Sequence, residues 1–152
     1  MAIEPGSKAP EFTLSNQFGE KVSLADYQGK KNVVLMFYPF AFSGTCTGEL
    51  CALRDQYTDF VNDDTVVLSV SCDSPYTLKA FAEHDQLTHP LLSDFWPHGD
   101  VSKAYGVFLD EKGFATRGTF VIDKDGMVRW SVVNGPGEAR NSDEYKAALA
   151  AL

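Results

Sequence analysis

The sequence has little cysteine and no long apolar run, which argues against a disulfide-rich secreted protein and a membrane-spanning one. Three cysteines in 152 residues, an odd number, do not suit the disulfide framework of a small secreted domain. No apolar stretch approaches the roughly 20 residues that cross a membrane. The N-terminal residues have neither the basic nor the apolar segment of a signal peptide. We therefore expect a cytoplasmic protein.

Basic residues are also scarce relative to acidic ones. Lys and Arg number 13 against 21 Asp and Glu, which gives a formal net charge of −8. Nucleic acids and anionic membranes repel such a protein, so we expect neither as a partner. A hydrophobic content of 44% suffices for one compact domain, which we expect to span residues 1–152.

The apolar pattern predicts an α/β protein. Continuous apolar runs indicate strands buried on both faces of a sheet, and alternating segments around turn residues indicate hairpins. Strands are predicted at 11–14 and 21–24 (an N-terminal hairpin), at 32–37 and 65–70, and at 119–122 and 127–133 (a second hairpin). Helices are predicted at about 45–61, 77–84 and 101–105 and near the C-terminus. This order indicates a central mixed sheet flanked by helices and is compatible with a thioredoxin-like fold.

Cys46 stands in the predicted first turn of a helix, just after a strand and a loop that contains Pro39. Unpaired N–H groups and a partial positive charge at a helix N-terminus favour the thiolate over the thiol. The thiolate is the nucleophilic form, so this position suits a reactive cysteine. Ser43 adds a hydroxyl able to bond the sulfur or a substrate oxygen. Cys46 also heads the buried helix face, however, so a cation is needed to offset its desolvation.

Cys51 lies five residues further along the same helix, off its apolar face. It is rotated by roughly 140° and displaced by about 7.5 Å along the axis relative to Cys46. An intact helix cannot bring such a pair into disulfide geometry, so a bond between them requires the first turns to unwind. Cys72 closes a buried strand, and we expect it to be structural.

Other functions remain open at this point. Free cysteines are often inert core residues. A zinc site could combine Cys46 and Cys51 with His84, His89 or His98, but the second paired cluster of typical zinc sites is absent. Solvated or capping roles are the simpler expectation for His84 and His89. A disulfide oxidoreductase needs Cys-x-x-Cys, which the sequence lacks, and a thioredoxin-fold metallochaperone needs a different cysteine spacing.

The segment from Pro39 to Cys51 resembles the active-site segment of the peroxiredoxins. The family pattern is proline, three residues, threonine or serine, two residues, cysteine, and here it reads Pro39, Ser43, Cys46. Residues 117–123 are similar to the family strand that begins with an arginine. The similarity runs nearly end to end and is strongest to the alkyl hydroperoxide reductase E type of actinobacteria. The position of Cys51 is instead similar to the resolving cysteine of the bacterioferritin-comigratory-protein type.

This resemblance implies a thioredoxin-like fold and a thiol-dependent peroxidase for hydrogen peroxide and organic hydroperoxides, without metal, haem or flavin. Cys46 would attack the peroxide and become a sulfenic acid. Arg117, Ser43 and backbone N–H groups would stabilise the developing charge. Pro39 would shield the sulfur, and Glu49 would hold the arginine.

The resemblance also implies how the enzyme is recycled. Cys51 would resolve the sulfenic acid as an intramolecular disulfide that a thioredoxin reopens. The alternative is a one-cysteine cycle served by mycothiol and mycoredoxin, and a peroxide-sensing signalling protein would share only the first step. Phe42, Phe95 and Trp96 would provide apolar surface near the pocket or at a homodimer interface.

Overall fold

The computed structural model describes residues 2–56, 64–138 and 142–152. Its strands are β1 (Thr13–Ser15), β2 (Lys21–Ser23), β3 (Asn32–Phe37), β4 (Thr65–Ser71), β5 (Leu91–Ser93), β6 (Phe108–Leu109), β7 (Phe114–Ala115), β8 (Arg117–Ile122) and β9 (Val128–Asn134). Its helices are α1 (Gly44–Asp55), α2 (Pro75–Asp85), α3 (Asp100–Ala104) and α4 (Ser142–Ala150), with a 3-10 turn at Leu24–Asp26.

Seven strands form one mixed sheet in the order β2-β1-β5-β4-β3-β8-β9. The three central strands β5, β4 and β3 are parallel, and the outer strands pair antiparallel. The mixed sheet flanked by helices, predicted from the sequence, is confirmed. Because the carboxyl ends of parallel strands meet at one edge of the sheet, the loops after β3, β4 and β5 lie side by side there.

Alternation along β3 divides the core between the two faces of the sheet. Leu35 and Phe37 join the apolar cluster on one face, which the N-terminal segment and Tyr105 complete. Val34 and Met36 point the other way. They join a second cluster that contains the buried faces of α1 and α2 and part of α4. The helix that carries Cys46 is therefore fixed against the sheet by its own apolar stripe.

The same alternation brings Arg117 to Cys46. Met36 of β3 lies opposite Thr119 of the antiparallel strand β8, so Arg117 reaches the level at which β3 ends. Arg117, Thr119 and Val121 share one face of β8, because side chains in a strand alternate with period two. Val121 packs in the cluster beneath α1. A strand residue distant in sequence thus projects toward the first turn of the cysteine helix.

The predicted elements differ from the observed ones mainly at short segments. Strands β5, β6 and β7 have two or three residues each, too few to show a period, and the sequence did not predict them. Helix α1 ends at Asp55, and the predicted continuation to Val61 falls on residues outside the described ranges. Helix α2 begins at Pro75, two residues before the prediction. No helix in the described ranges is long and apolar enough to cross a membrane.

Candidate functional site

The site is centred on Cys46, in the first turn of α1. Ser43 is the N-cap, and its Oγ accepts a hydrogen bond from the Cys46 backbone N–H at 3.4 Å. Ser43 thus occupies the usual capping role of a serine and orders the turn that carries the thiol. Cys46 is completely buried, as its place at the head of the apolar stripe predicts.

Arg117 supplies the cation of the site. Its Nη2 donates to Cys46 Sγ at 3.1 Å, and its Nε donates to the carbonyl oxygen of Pro136 at 2.9 Å. The side chain is only 1% exposed, so water screens this contact very little. A guanidinium at this distance favours negative charge on the sulfur, as does the positive end of α1.

Glu49 balances the buried charge of Arg117. It lies one turn after Cys46 on α1, and its Oε1 accepts a hydrogen bond from Arg117 Nη1 in a buried ion pair. Within the described part of the chain, the contacts of Arg117 use three of its five N–H donors, and two remain for a ligand. The guanidinium can therefore touch the sulfur and a bound oxygen at the same time.

The loop before α1 is held in an unusual conformation. Pro39 is buried where the loop leaves β3. Phe42 has a φ of 68°, which for a bulky residue costs on the order of 1–3 kcal/mol. Its half-exposed ring packs on Phe81 and His84 of α2, with centroids 5.0 and 5.8 Å away. Phe42 therefore contacts α2 beside the site.

The other two cysteines differ in their surroundings. Cys51 is partly exposed on α1, off the buried stripe, and all three cysteines are free thiols. Burial, with a smaller effect of the nearby Asp94 carboxylate, raises the pKa of Cys72 to about 11. Cys72 is accordingly protonated at neutral pH and is a poor nucleophile.

Trp96 and the histidines are not gathered around the sulfur. Trp96 is 69% exposed, packs edge to face against His98, and lines a surface cavity that includes Pro75 and Ser93. His84 is solvated, as expected. The expectation for His89 was wrong, because its ring is completely buried against Ser69. Burial lowers the pKa of His89 to about 4, so the ring is neutral at physiological pH.

Two polar partners of the site were missed by sequence reasoning. The Pro136 carbonyl group has no sequence signal, because any residue offers one. Asp73 accepts a hydrogen bond from the backbone N–H of Ala41, in the loop before α1, at 2.8 Å. A polar residue just after the buried strand β4, at the carboxyl edge of the sheet, was a signal that could have indicated Asp73.

Comparisons with known proteins agree over most of the chain. A family model described as the AhpC/TSA family matches residues 5–131. Alkyl hydroperoxide reductase E of Mycobacterium tuberculosis is 50% identical over 150 residues, which cover 99% of this chain and 98% of that protein. The reduced 2-Cys peroxiredoxin of Plasmodium vivax superposes with a TM-score of 0.89 at 30% identity, covering 98% of this chain and 81% of that one.

A second solved structure, peroxidoxin BcpB of Mycobacterium tuberculosis, superposes with a TM-score of 0.85 at 31% identity. The match covers 99% of this chain and 98% of that chain. These superpositions confirm the thioredoxin-like fold that the sequence resemblance implied.

The ion pair between Glu49 and Arg117 predicts a large stability effect. In a Cys46→Ser background, which removes the sulfur, Glu49→Gln leaves the buried guanidinium without its carboxylate. We expect this change to lower the free energy of unfolding by about 3–5 kcal/mol. Urea denaturation at neutral pH measures it. Adding Arg117→Met to this variant should recover most of the lost stability. If Glu49→Gln, in the Cys46→Ser background and without Arg117→Met, lowers the free energy of unfolding by less than about 1 kcal/mol, the buried ion pair is contradicted.

Proposed function

This chain belongs to the AhpC/TSA family of peroxiredoxins and is a thiol-dependent peroxidase, and we propose that Cys46 is its nucleophile and Arg117 its electrophilic partner. The observation that carries the assignment is the 3.1 Å contact between Arg117 Nη2 and Cys46 Sγ at the N-terminus of α1. Ser43, Pro39 and Glu49 complete the proposed site.

The proposed reaction begins with the Cys46 thiolate. The sulfur attacks one oxygen of the hydroperoxide in line with the O–O bond, which breaks. The sulfur is oxidised to the sulfenic acid, and the second oxygen leaves as an alkoxide or hydroxide that takes up a proton. Both N–H groups left over on Arg117 can stabilise charge on these oxygens, as donors do in an oxyanion hole.

Cys51 is the proposed resolving residue. Its thiol condenses with the Cys46 sulfenic acid, which releases water and forms an intramolecular disulfide. A thioredoxin-like reductant then reduces that disulfide by thiol–disulfide exchange. The partial exposure of Cys51 supports this assignment, because an external reductant must reach one sulfur of the bond. The competing cycle has no internal disulfide and uses a small thiol such as mycothiol, with mycoredoxin.

We also propose that the protein forms a homodimer in the cytoplasm. Phe95 and Trp96 are both more than half exposed and adjacent, and exposed aromatic clusters are typical of interfaces. The free thiols suit a reducing compartment. Sedimentation of the wild type and of Trp96→Ala tests the dimer, and a wild type that stays monomeric at micromolar concentration would exclude it.

Replacement of Cys46 by serine should abolish peroxidase activity. The hydroxyl is a far weaker nucleophile than the thiolate, and the fold should survive a change of one atom. Stopped-flow peroxide consumption with an excess of reductant measures the effect, and Cys72→Ser is the matched control that should stay active. Turnover by Cys46→Ser would refute the assignment. Wild-type protein that is oxidised once but is not recycled by any thiol would favour a peroxide sensor.

Replacement of Arg117 should slow the peroxide reaction without stopping it. Loss of a donor to the developing oxyanion costs about 2.7–4 kcal/mol, or roughly a hundred- to thousandfold in rate. Arg117→Lys should recover only part of the rate, because a point charge does not reproduce the planar fork. Arg129→Ala removes an exposed arginine from the same sheet and serves as the control. An unchanged rate in Arg117→Ala would show that another cation serves the sulfur.

Resolution by Cys51 should depend on unwinding of the first turns of α1. One equivalent of peroxide should give a disulfide between Cys46 and Cys51 by peptide mapping, and Cys51→Ser should accumulate sulfenic and sulfinic acid instead. Gly48→Ala is the sharper test, because an added Cβ there meets no atom. It stabilises the helix by up to about 1 kcal/mol and should slow disulfide formation roughly fivefold, with the first step unchanged.

Two results would overturn this route. Persistent sulfenic acid in the wild type would indicate the one-cysteine cycle with an external thiol. A bond between Cys46 and Cys72 would assign resolution to the other cysteine.

A further inference from the structure

A carboxylate outside the reacting groups joins two loops at the carboxyl edge of the sheet. Asp73 follows β4, and its Oδ2 accepts a hydrogen bond from the Ala41 N–H at 2.8 Å. The Ser71 hydroxyl donates to the same oxygen at 2.7 Å. The Ser93 hydroxyl, at the end of β5, donates to the Asp73 carbonyl oxygen. Asp73 is thereby fixed to β4 and β5, and it fixes the loop that precedes α1.

The position of Ala41 gives this contact its importance. Ala41 directly precedes Phe42, whose φ of 68° is disfavoured for its type, and Ser43 directly follows as the N-cap. A disfavoured backbone conformation persists only where the surrounding structure holds it in place. On the N-terminal side of Phe42, the Asp73 carboxylate holds the backbone N–H of Ala41. On the C-terminal side, the Ser43 hydroxyl is held by its hydrogen bond from the Cys46 N–H. Loss of the first contact lets the loop relax toward an ordinary conformation, which moves the cap and the first turn of α1.

We propose that Asp73 is a positioning residue for the peroxide reaction: by accepting the Ala41 N–H it holds the Phe42 conformation that sets Ser43 and the first turn of α1 under Arg117. This inference rests on the proposed function of Cys46. Asp73 does not touch the sulfur in this arrangement. It acts through the backbone of the loop before α1, because its carboxylate oxygen accepts the Ala41 N–H from a fixed position.

Asp94 offers a matched control for Asp73. It follows β5 as Asp73 follows β4, and its carboxylate accepts bonds from the backbone N–H and the hydroxyl of Ser102, at 2.8 and 2.7 Å. Burial raises the pKa of both aspartates. Asp94 holds the start of α3, however, and not the loop before α1. We expect removal of either carboxylate to destabilise the fold, but only Asp73 contacts the loop that leads to Cys46.

The experiment compares Asp73→Ala, Asp73→Asn and Asp94→Ala. Each variant is checked for folding by circular dichroism, and stopped flow measures its rate of reaction with hydrogen peroxide. Asp73→Ala should react roughly ten- to a hundredfold more slowly than the wild type, as expected for a misplaced reacting group. Asp73→Asn should stay within about threefold of the wild type, because its amide oxygen accepts both hydrogen bonds. Asp94→Ala should be destabilised and keep the wild-type rate.

A second readout separates positioning from a general loss of structure. Alkylation of Cys46 by iodoacetamide needs a thiolate but not the aligned peroxide site, so Asp73→Ala should slow alkylation far less than it slows the peroxide reaction. Three results would overturn the inference. One is that Asp73→Ala slows alkylation and the peroxide reaction by the same factor. The others are that Asp73→Asn slows the peroxide reaction as much as Asp73→Ala does, or that Asp73→Ala reacts with peroxide at the wild-type rate. Failure of the proposed function is distinct, because wild-type protein would then not react with peroxide at Cys46. If Asp73→Ala does not fold, Ser71→Ala, which removes only the supporting hydroxyl, should show a smaller loss of the same kind.

Discussion

The arrangement depends on one buried cation. A guanidinium that is 1% exposed is costly to bury unless its charge is matched, and here Glu49 and the Cys46 sulfur both contact it. These two groups come from the same helix, one turn apart, so the cation fixes the position of α1 relative to β8. The stabilisation is mutual. Arg117 is buried in the fold, and its positive charge in turn stabilises any negative charge on the Cys46 sulfur.

The sheet explains why residues so distant in sequence meet. Parallel pairing of β3 with β4 brings two loops to one edge, and antiparallel pairing with β8 brings the start of that strand to the same level. Side chains along β8 point alternately to the two faces of the sheet, and this alternation places Arg117 on the face that α1 covers. The loop contact between Asp73 and Ala41 follows from the same edge. The proposed active site thus lies where three chain segments meet at one edge of the sheet.

How much the sequence predicts depends on the range of the interaction. Local patterns predicted β3, β4 and the first turn of α1, because a buried strand and a helix start have signals within a few residues. The position of Arg117 came only from resemblance, since a contact between side chains 71 residues apart in the sequence leaves no local pattern. His89 was misjudged because a histidine next to a proline looks like a loop residue. Its burial follows from packing of the chain between α2 and β5, which no periodicity reports.

The cysteine helix combines two opposed requirements. In the proposed cycle, attack on peroxide needs an ordered first turn around Cys46, whereas a bond to Cys51 needs that turn to open. The composition of α1 fits both. Its first turn and a half contains Gly44 and Gly48, each of which costs about 1 kcal/mol relative to alanine in a helix, so local helical stability there comes from the Ser43 cap and the Arg117 contacts. In that proposed cycle, oxidation of the sulfur to a neutral sulfenic acid would weaken its attraction to the guanidinium, so the first step would lower the barrier to the second.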